Sequence, residues 1–373
     1  MSTGLAALIA RRIAADGPMN VAEYMAECLF HPQHGYYTTH EPFGAAGDFV
    51  TAPEISQMFG ELLGLWAADC WMRMGSPPRF ILAELGPGRG TMMADVLRAT
   101  RIVPGFHAAA QVVLVEASPR LRAKQAATLS AYPVDWRGRF EDIPDGPLIL
   151  LANEFFDALP IRQFVRTATG IAERMVGLGE DGALAFGLRP DARPDPADAA
   201  RLMAAREGAL LEVCPSGTAI AGDIAARVSR EGGTALFIDY GHAGGFGDTL
   251  QALKSHAYDD VLAHPGDADL TAHVDFAALA QAGMAAGALA LGPIPQGAFL
   301  ARLGIAARAE RLKAKAAPDA AAAIDAATRR LAGTGKDEMG ALFKALALVH
   351  PALGGAAGFA PQDVFPTGKK VEP

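Results

Sequence analysis

The sequence has few cysteines and no long hydrophobic run. Cys28, Cys70 and Cys214 are odd in number and far apart among 373 residues, which excludes a disulfide framework and is typical of a reducing compartment. No apolar run reaches the roughly 20 residues that a helix needs to span a bilayer, so we expect no transmembrane segment. Residues 1–15 lack the charged start, apolar run and cleavage site of a secretory signal. We therefore expect a cytoplasmic protein.

Positive charge is also scarce. The chain has 33 lysines and arginines against 41 acidic residues, a net charge of −8. Proteins that hold nucleic acid through its phosphates usually present a basic face, so we predict no nucleic-acid partner. His31, His34, His40 and Asp48 do not have the spacing of a metal site, and we predict no metal.

A strand, a glycine turn and a helix follow one another between residues 80 and 98. Apolar residues at 80–84 predict a buried strand, and apolar residues three and four apart after the turn predict a helix. Between them, Gly86, Gly88 and Gly90 stand at alternate positions. Because glycine adopts positive φ and lets a ligand approach the backbone, this arrangement predicts a nucleotide or nucleoside pocket.

The spacing of the glycines distinguishes between cofactors. Dinucleotide-binding folds use G-x-G-x-x-G, which the chain does not have, so an NAD-dependent oxidoreductase is disfavoured. The pattern here, E-x-G-x-G-x-G starting at Glu84, resembles motif I of the S-adenosyl-L-methionine (SAM) methyltransferases. The alternative is a tight strand-to-helix connection without a ligand.

An acidic residue follows the second predicted strand. Glu116 ends the apolar run that begins at Gln111 and lies 26 residues beyond Gly90, somewhat more than the roughly 20 of a short βαβ unit. The loop around Pro104 and Gly105 accommodates the excess. An acid at this place suits hydrogen bonds to ribose hydroxyls, whereas an isolated acid would be a helix-start carboxylate. We predict that Glu116 binds the cofactor.

Predicted strands alternate with helices over most of the chain. The strand candidates of the core are 80–84, 111–116, 132–136, 147–152 and 234–239. This order predicts an α/β fold of the SAM-methyltransferase type, with a doubly wound, mostly parallel sheet and an antiparallel β insert. We divide the chain into a helical N-terminal region with a possible cofactor lid (1–75), the first part of the core (76–160), an inserted β-rich and helical substrate region (161–230), the second part of the core (231–300) and a helical C-terminal region (301–373).

Two segments of the N-terminal region match the pattern of a capped helix start. They are Asn20–Glu23 and Thr51–Glu54, and the second is expected to open a long helix over 55–74. The segment 47–61 is interpreted either as a lid over the cofactor or as a helix cap plus turn. In the first interpretation the hinge residues are Gly44 and Gly47.

The fourth core strand continues into Asn-Glu-Phe-Phe-Asp. In open α/β sheets ligands bind beyond the carboxyl ends of the strands, so Asn153 and Glu154 are predicted to face the methyl donor. Carboxylates suit a guanidinium, which is always charged, planar and able to donate two parallel hydrogen bonds. We predict Glu154 and Asp157 as catalytic residues and Asn153 as a cofactor contact. The alternative is that Asp157 caps the following turn and Glu154 alone faces the pocket.

Two further residues are weaker candidates. Asp142, next to Glu141, precedes the fourth strand and is predicted to contact the adenine amino group, although an exposed loop acid has the same pattern. His273 lies in the segment 269–276 and is predicted as a proton acceptor, the alternative being a hydrogen-bonded structural histidine.

Four motifs together resemble one family. They occur in the order Gly47–Glu61, Glu84–Thr91, Asn153–Pro160 and Asp269–Phe276, and they resemble the MidA-like family. The resemblance covers nearly the whole chain. It implies a seven-stranded methyltransferase core with SAM bound at Gly86, Gly88, Gly90 and Glu116.

The resemblance also implies an activity. Mitochondrial members of the family are complex I assembly factors and protein arginine methyltransferases, associated with symmetric dimethylation of an arginine in a quinone-side subunit. This implies SAM-dependent methylation of a protein arginine, and the absence of a mitochondrial presequence favours a bacterial, cytoplasmic member. The alternative is a non-catalytic assembly chaperone that keeps the SAM pocket. The double-Glu arrangement of ordinary arginine methyltransferases is not recognisable, so the choice between Glu154 and Asp157 stays open, as does the oligomeric state.

Overall fold

The computed structural model describes residues 4–40, 50–254 and 257–366. Its helices are, in chain order, α1 Gly4–Asp16, α2 Val21–Phe30, α3 Tyr36–Thr39, α4 Ala52–Ile55, α5 Gln57–Arg73, α6 Thr91–Thr100, α7 Phe106–Ala109, α8 Pro119–Thr128, α9 Pro196–Ala204, α10 Pro215–Glu231, α11 Phe276–Ala285, α12 Gln296–Leu303, α13 Ile305–Lys313, α14 Pro318–Ala332 and α15 Met339–Leu342. Its strands are β1 Met19–Asn20, β2 Phe80–Leu85, β3 Ala110–Val115, β4 Val134–Arg137, β5 Leu148–Asn153, β6 Arg162–Thr167, β7 Gly170–Leu178, β8 Leu184–Arg189, β9 Leu210–Val213, β10 Gly233–His242, β11 Gln251–Lys254, β12 Ala257–Asp259, β13 Asp269–Thr271, β14 Val274–Asp275, β15 Leu289–Pro295 and β16 Phe343–Val349.

The central sheet has the strand order β15-β16-β10-β5-β2-β3-β4, and β14 pairs with β10. The strands from β10 through β5, β2 and β3 to β4 are parallel, whereas β16 runs antiparallel to both of its neighbours. Every residue of β2 and β5 is buried, as expected for parallel strands that are covered on both faces. This confirms the mostly parallel, doubly wound α/β fold.

Helices cover both faces of this sheet. Alternate residues of β2 point to opposite sides, so Leu82 packs in one hydrophobic cluster with Trp66 of α5, and Ile81 packs in another with Ile224 of α10 and Phe276. Trp66, Ile224 and Phe276 are all completely buried. Burial of this kind fixes the sheet between two helical layers and thereby fixes the ends of its strands.

The predicted insert is antiparallel. β7 pairs with β6 and β8, and β6 pairs with β9, all in antiparallel register. The N-terminal region contributes a strand to the same sheet, because β1 pairs with β7 through Met19 and Val176. A separate three-stranded sheet has the order β12-β11-β13.

The region predicted as helical at the C-terminus contains a core strand. β16 lies between β10 and β15, and all but one of its residues are buried. Its sequence is rich in Ala and Leu, which favour helices when taken alone. Pairing with two neighbouring strands overrides this preference, so the core extends to Val349 rather than ending near residue 300.

The two predicted capping patterns have different outcomes. The Asn20 side chain accepts from the Glu23 N–H and the Glu23 carboxylate accepts from the Asn20 N–H, which confirms a capping box. Thr51 makes no side-chain cap bond, and the helix after it ends at Ile55. The long helix is α5, whose cap is Ser56. The prediction of one long helix opened by Thr51 was therefore wrong.

The Thr51–Glu54 pattern does not form a capping box because the Glu54 carboxylate has a different partner. Glu54 accepts a hydrogen bond of 2.6 Å from the Thr91 hydroxyl and lies 3.5 Å from the Arg89 guanidinium. Short helix α4 is thus attached to the glycine turn rather than capped by its own acid. Of the predicted lid, the hinge residues Gly44 and Gly47 lie outside the described residues.

Candidate active site

A cavity of about 1070 Å³ lies beyond the carboxyl ends of four neighbouring core strands. Gly86 follows β2, Glu116 follows β3, Glu154 follows β5 and Tyr240 lies near the end of β10, and all four line the cavity. This is where open α/β sheets bind ligands. The cavity has a half beside β2 and β3, called here the glycine half, and a half beside β5 and β10, called the acid half.

The glycine turn has the backbone conformation that its sequence predicts. Gly86, Gly88 and Gly90 have φ values of +59°, +53° and +81°. A Cβ on Gly86 would lie 3.0 Å from a ring carbon of Phe155. Gly86 and Gly88 line the cavity, whereas Gly90 does not and forms the N-cap of α6. The first two glycines therefore leave room for a ligand, and the third shapes the turn.

Glu84, the first residue of the motif, lies behind this turn. It is 2% exposed, and burial raises the pKa of its carboxyl to about 8. Among the described residues its Oε2 atom has no hydrogen-bond partner. Glu84 does not line the cavity, so it lies under the glycine turn rather than on the wall.

Glu116 lies on the cavity wall at the end of β3. Its Oε1 accepts the Ser118 N–H at 2.8 Å and its Oε2 accepts the Gln125 amide at 3.2 Å. Burial raises the pKa of Glu116. Carboxylate oxygens held in this way beside the glycine turn fit the hydroxyls of a ribose.

Gln125 is a residue that sequence reasoning missed. It is completely buried on α8, and its amide also donates to the Gly88 carbonyl at 2.8 Å. Its side-chain oxygen accepts the Trp136 indole N–H at 2.9 Å. Gln125 thus connects the glycine turn to Glu116. Nothing local in its helix marks it, because the contact depends on how α8 packs.

The adenine candidate lies beside the cavity rather than on its wall. Asp142 is exposed and does not line the cavity, and its carbonyl accepts from the Arg137 guanidinium at 3.1 Å. Its neighbours Phe140 and Glu141 do line the cavity. The loop is therefore placed as expected, with Glu141 rather than Asp142 as its acid on the wall.

Glu154 opens the acid half. Its backbone φ is +50°, unusual for a residue other than glycine. One carboxylate oxygen accepts the Ala52 N–H and the Asn153 amide, each at 2.9 Å. Burial raises the pKa of Glu154 to about 7. Asn153 does not line the cavity; it supports Glu154 from behind, which differs from the predicted contact with the cofactor.

Asp157 also lines the cavity, and a different acid caps its turn. One carboxylate oxygen of Asp239 accepts the N–H groups of Phe155, Phe156 and Asp157 at 3.1, 3.0 and 3.3 Å. The Asp157 carboxylate accepts the Ala158 N–H as well, but it lies on the cavity wall, so Glu154 is not alone in facing the cavity. Burial raises the pKa of Asp157 to about 6, and a hydrogen bond from Tyr240 opposes part of that rise.

Two tyrosines complete the acid half, and sequence reasoning assigned neither. The Tyr240 hydroxyl hydrogen-bonds to Asp157 and to Thr271. The Tyr37 hydroxyl hydrogen-bonds to Asp269. Burial raises the pKa of both tyrosines, so both are neutral donors at pH 7. The only sequence signal for Tyr240 was its position directly after Asp239, at the end of the predicted strand 234–239. No pattern in the sequence indicated Tyr37.

His273 lies on the same wall. Its ring centroid is 5.5 Å from that of Tyr240 in an edge-to-face arrangement, and its backbone N–H donates to the Thr249 hydroxyl at 2.8 Å. Burial lowers the pKa of His273, so its imidazole is neutral at pH 7. The structure brings it together with Glu154 and Asp157 around one cavity.

The acid half has negative groups without matching cations. Among the described residues, no ion pair joins a lysine or arginine to Glu154 or Asp157, and the charge of Asp157 makes ionisation of Glu154 more costly. A cationic ligand would relieve this cost because an opposite charge favours the ionised form. No group of three or more His, Cys, Asp or Glu residues in the described part of the chain is arranged to hold a metal ion. Across those same ranges, no helix combines the length and the apolar character needed to cross a membrane.

Three kinds of comparison agree with this geometry. Residues 62–294 match a family model described as "Putative S-adenosyl-L-methionine-dependent methyltransferase". The chain is 40% identical to the mitochondrial protein arginine methyltransferase NDUFAF7 of Danio rerio over 82% of this chain and 77% of that protein. It is 38% identical to the Drosophila melanogaster homologue over 92% of this chain and 84% of that protein.

A solved structure has the same fold. A likely methyl transferase of the COG1565 superfamily from Burkholderia thailandensis, bound to S-adenosyl-homocysteine, superposes with a TM-score of 0.80 at 31% identity. The match covers 95% of this chain and 93% of that protein. The family model spans more than half of the chain, and the relatives exceed 30% identity over most of it. The chain therefore belongs to the MidA-like family of SAM-dependent methyltransferases, and SAM is its cofactor.

Proposed function

We propose that the protein transfers the methyl group of SAM to a guanidinium nitrogen of a protein arginine, with the quinone-side subunit of bacterial complex I as the first acceptor to test. The observation that carries the proposal is the pair of carboxylates, Glu154 and Asp157, in the acid half of the SAM cavity. When bound, SAM supplies a methyl group on a sulfonium. The residues of this chain bind and orient the cofactor and the acceptor, and they accept the proton that is released.

In the glycine half, the roles are binding and orientation. Gly86 and Gly88 let the cofactor lie against the backbone, and Glu116 accepts hydrogen bonds from the ribose hydroxyls. Gln125 holds Glu116 and the Gly88 carbonyl in a fixed relation. These contacts place the reactive end of the cofactor toward the acid half, since the two halves form one cavity.

In the acid half, Glu154 and Asp157 hold the acceptor. A guanidinium is planar and always charged, and it donates parallel hydrogen bonds to carboxylates. Its arrival lowers the pKa of both acids, which burial has raised to about 7 and about 6, so both become ionised on binding. Fixed negative charge beside the attacking nitrogen raises its electron density and stabilises the positive charge of the transferring methyl group.

His273 is assigned as the proton acceptor. The methylated nitrogen must lose a proton, and the imidazole of His273 is neutral at pH 7 because burial lowers its pKa. It lines the same cavity as the two carboxylates. Tyr240 lies between His273 and Asp157 and hydrogen-bonds to the latter, so it orients the acid rather than receiving the proton.

The names of the relatives support the choice of acceptor. Those from Danio rerio and Homo sapiens, each 40% identical, are called protein arginine methyltransferases. The Burkholderia thailandensis protein is bound to S-adenosyl-homocysteine, the compound that remains when SAM has given up its methyl group. Both the acceptor class and the transfer reaction are proposals for this chain.

Methyl transfer to purified acceptors tests the proposal. The protein is incubated with methyl-labelled SAM and each purified quinone-side subunit of a bacterial complex I. We expect label on one subunit, its loss when the acceptor arginine is replaced by lysine, and at least a hundredfold lower rate for Glu154→Gln. Glu207→Gln is the matched control, because Glu207 is an exposed acid outside the cavity. Absence of label on every subunit, with SAM binding intact, would contradict the proposed acceptor.

A further inference from the structure

Four large apolar side chains that are exposed to solvent border the SAM cavity. Phe30, Val50, Tyr258 and Leu342 are 46%, 38%, 79% and 46% exposed, and all four line the cavity. They come from the end of α2, the segment before α4, strand β12 and the end of α15. A single exposed apolar side chain needs no explanation, whereas several around one opening mark an interaction site. We call these four residues the apolar rim.

The rim is continuous with the acid half on two sides. On one side, the Phe30 ring stacks on Tyr37 with centroids 5.9 Å apart, and the Tyr37 hydroxyl reaches Asp269. On the other side, Phe343 follows the rim residue of α15, and its ring centroid is 5.5 Å from that of Tyr240. Each wall therefore begins with an exposed apolar side chain and ends at an acidic group inside the cavity.

We propose that the apolar rim binds the acceptor as an extended protein segment with apolar side chains on both sides of a single arginine. The inference rests on the proposed function for the arginine itself. The carboxylates Glu154 and Asp157 lie within the cavity and attract a cation, whereas the rim at its mouth offers apolar surface. A segment of this composition matches both features. Acidic residues next to the arginine would be repelled by the carboxylates of the acid half. Polar residues there would leave the apolar side chains of the rim exposed to solvent.

Two labelled pentapeptides test the rim directly. Gly-Phe-Arg-Leu-Gly and Gly-Ser-Arg-Ser-Gly carry the same dye on the same linker, and their binding is measured by fluorescence anisotropy with S-adenosyl-homocysteine present. We expect the apolar peptide to bind the wild type at least tenfold more tightly. The Tyr258→Ser/Leu342→Ser variant should reduce this preference to less than threefold. Ile102→Ser is the matched control, because Ile102 is 80% exposed outside the cavity and should leave the preference unchanged.

The outcomes separate the rim from the arginine site. Equal binding of the two peptides, or a preference that survives in the double variant, would overturn the rim proposal. A wild-type dimer that the double variant converts to monomer would also overturn it, since the rim would then be a self-association surface. A third peptide, with glutamine in place of arginine, tests the proposed function separately. If it binds as tightly as the apolar arginine peptide, the rim stands and the arginine site fails.

Discussion

Backbone conformation makes the glycine half of the cavity, whereas side chains make the acid half. Beside β2 and β3, the left-handed turn through Gly86 and Gly88 creates the space, and Glu116 adds a carboxylate at the end of the next strand. Beside β5 and β10, the polar groups come from segments that are far apart in the sequence. They are Tyr37, Glu154, Asp157, Tyr240, Asp269 and His273.

This difference has a chemical consequence. A site shaped by backbone recognises the form of its ligand, so added atoms destroy it. A site made by buried carboxylates recognises charge, so it is altered by removing one oxygen and depends on pH. Substitutions in the two halves should therefore have separable effects on cofactor binding and on acceptor binding, and the predictions below use that separation, beginning with the largest effect.

Adding a side chain at Gly86 should have the largest effect. A valine there would take a left-handed φ of +59° and meet Phe155 at 3.0 Å. We expect Gly86→Val to lower SAM affinity at least a thousandfold, about 4 kcal/mol, in calorimetry. Gly182→Val is the matched control, because Gly182 also has a positive φ, of +78°, and nothing lies within 4 Å of its Cβ position. Normal SAM binding by Gly86→Val would contradict the claim that the backbone of the glycine turn makes the cofactor site.

Removing the Asp239 carboxylate should mainly lower stability. Its Oδ2 accepts three backbone N–H groups in the turn that carries Glu154 and Asp157. Asp239→Ala leaves these donors without that acceptor, and we expect a loss of about 3 kcal/mol in the free energy of unfolding measured with urea. Asp239→Asn keeps an oxygen at this place and should lose less than half as much. Equal losses in the two variants would show that the oxygen is not what stabilises the turn.

The pH dependence of stability should distinguish the acid half. Burial raises the pKa of Glu154 to about 7, above its value in the unfolded chain, so between about pH 4.5 and 7 the folded state binds more protons. Stability of the ligand-free wild type should therefore fall as pH rises through this window. Because Glu154 is only half-buried, we expect a fall of about 1–2 kcal/mol relative to Glu154→Gln. Urea unfolding at several pH values measures the difference. Parallel curves for the two proteins would contradict the assigned environment of Glu154.

Removing the Tyr240 hydroxyl should have the smallest effect, and it tests whether Tyr240 controls the protonation of Asp157. Its hydroxyl donates to Asp157 and opposes the rise in the pKa of that acid. Tyr240→Phe removes the bond, so the pKa of Asp157 should rise and arginine-peptide binding should reach its maximum at a higher pH. We expect a few-fold weaker binding at pH 6 and little change at pH 8, measured by anisotropy. Tyr132→Phe, outside the cavity, should behave like the wild type.

The glycine half was largely predictable from the sequence because its signals are local. An apolar strand, three alternating glycines and an acid after the next strand specify backbone and position within one short stretch, and the structure places Gly86, Gly88 and Glu116 on the cavity wall. Gln125 was not predicted because its hydrogen bond to the Gly88 carbonyl forms only when α8 packs against the turn.

The acid half was predictable only in part. Glu154 and Asp157 follow a recognisable strand, but the turn that brings Asp157 to the cavity wall is held by Asp239, a residue far away in the sequence. Tyr37 reaches the site from the N-terminal helices, and no pattern near it indicates this. The same reason explains the missed strand β16, whose partners lie far away in the sequence.

The most direct test of the account is a crystal structure of the protein with S-adenosyl-homocysteine and an arginine peptide. The account predicts that the adenosine part contacts Gly86, Gly88 and Glu116. It predicts that the guanidinium lies within hydrogen-bond distance of Glu154 and Asp157, on the side where SAM would carry its methyl group. An arginine bound away from both carboxylates, with the cofactor correctly placed, would contradict the central claim.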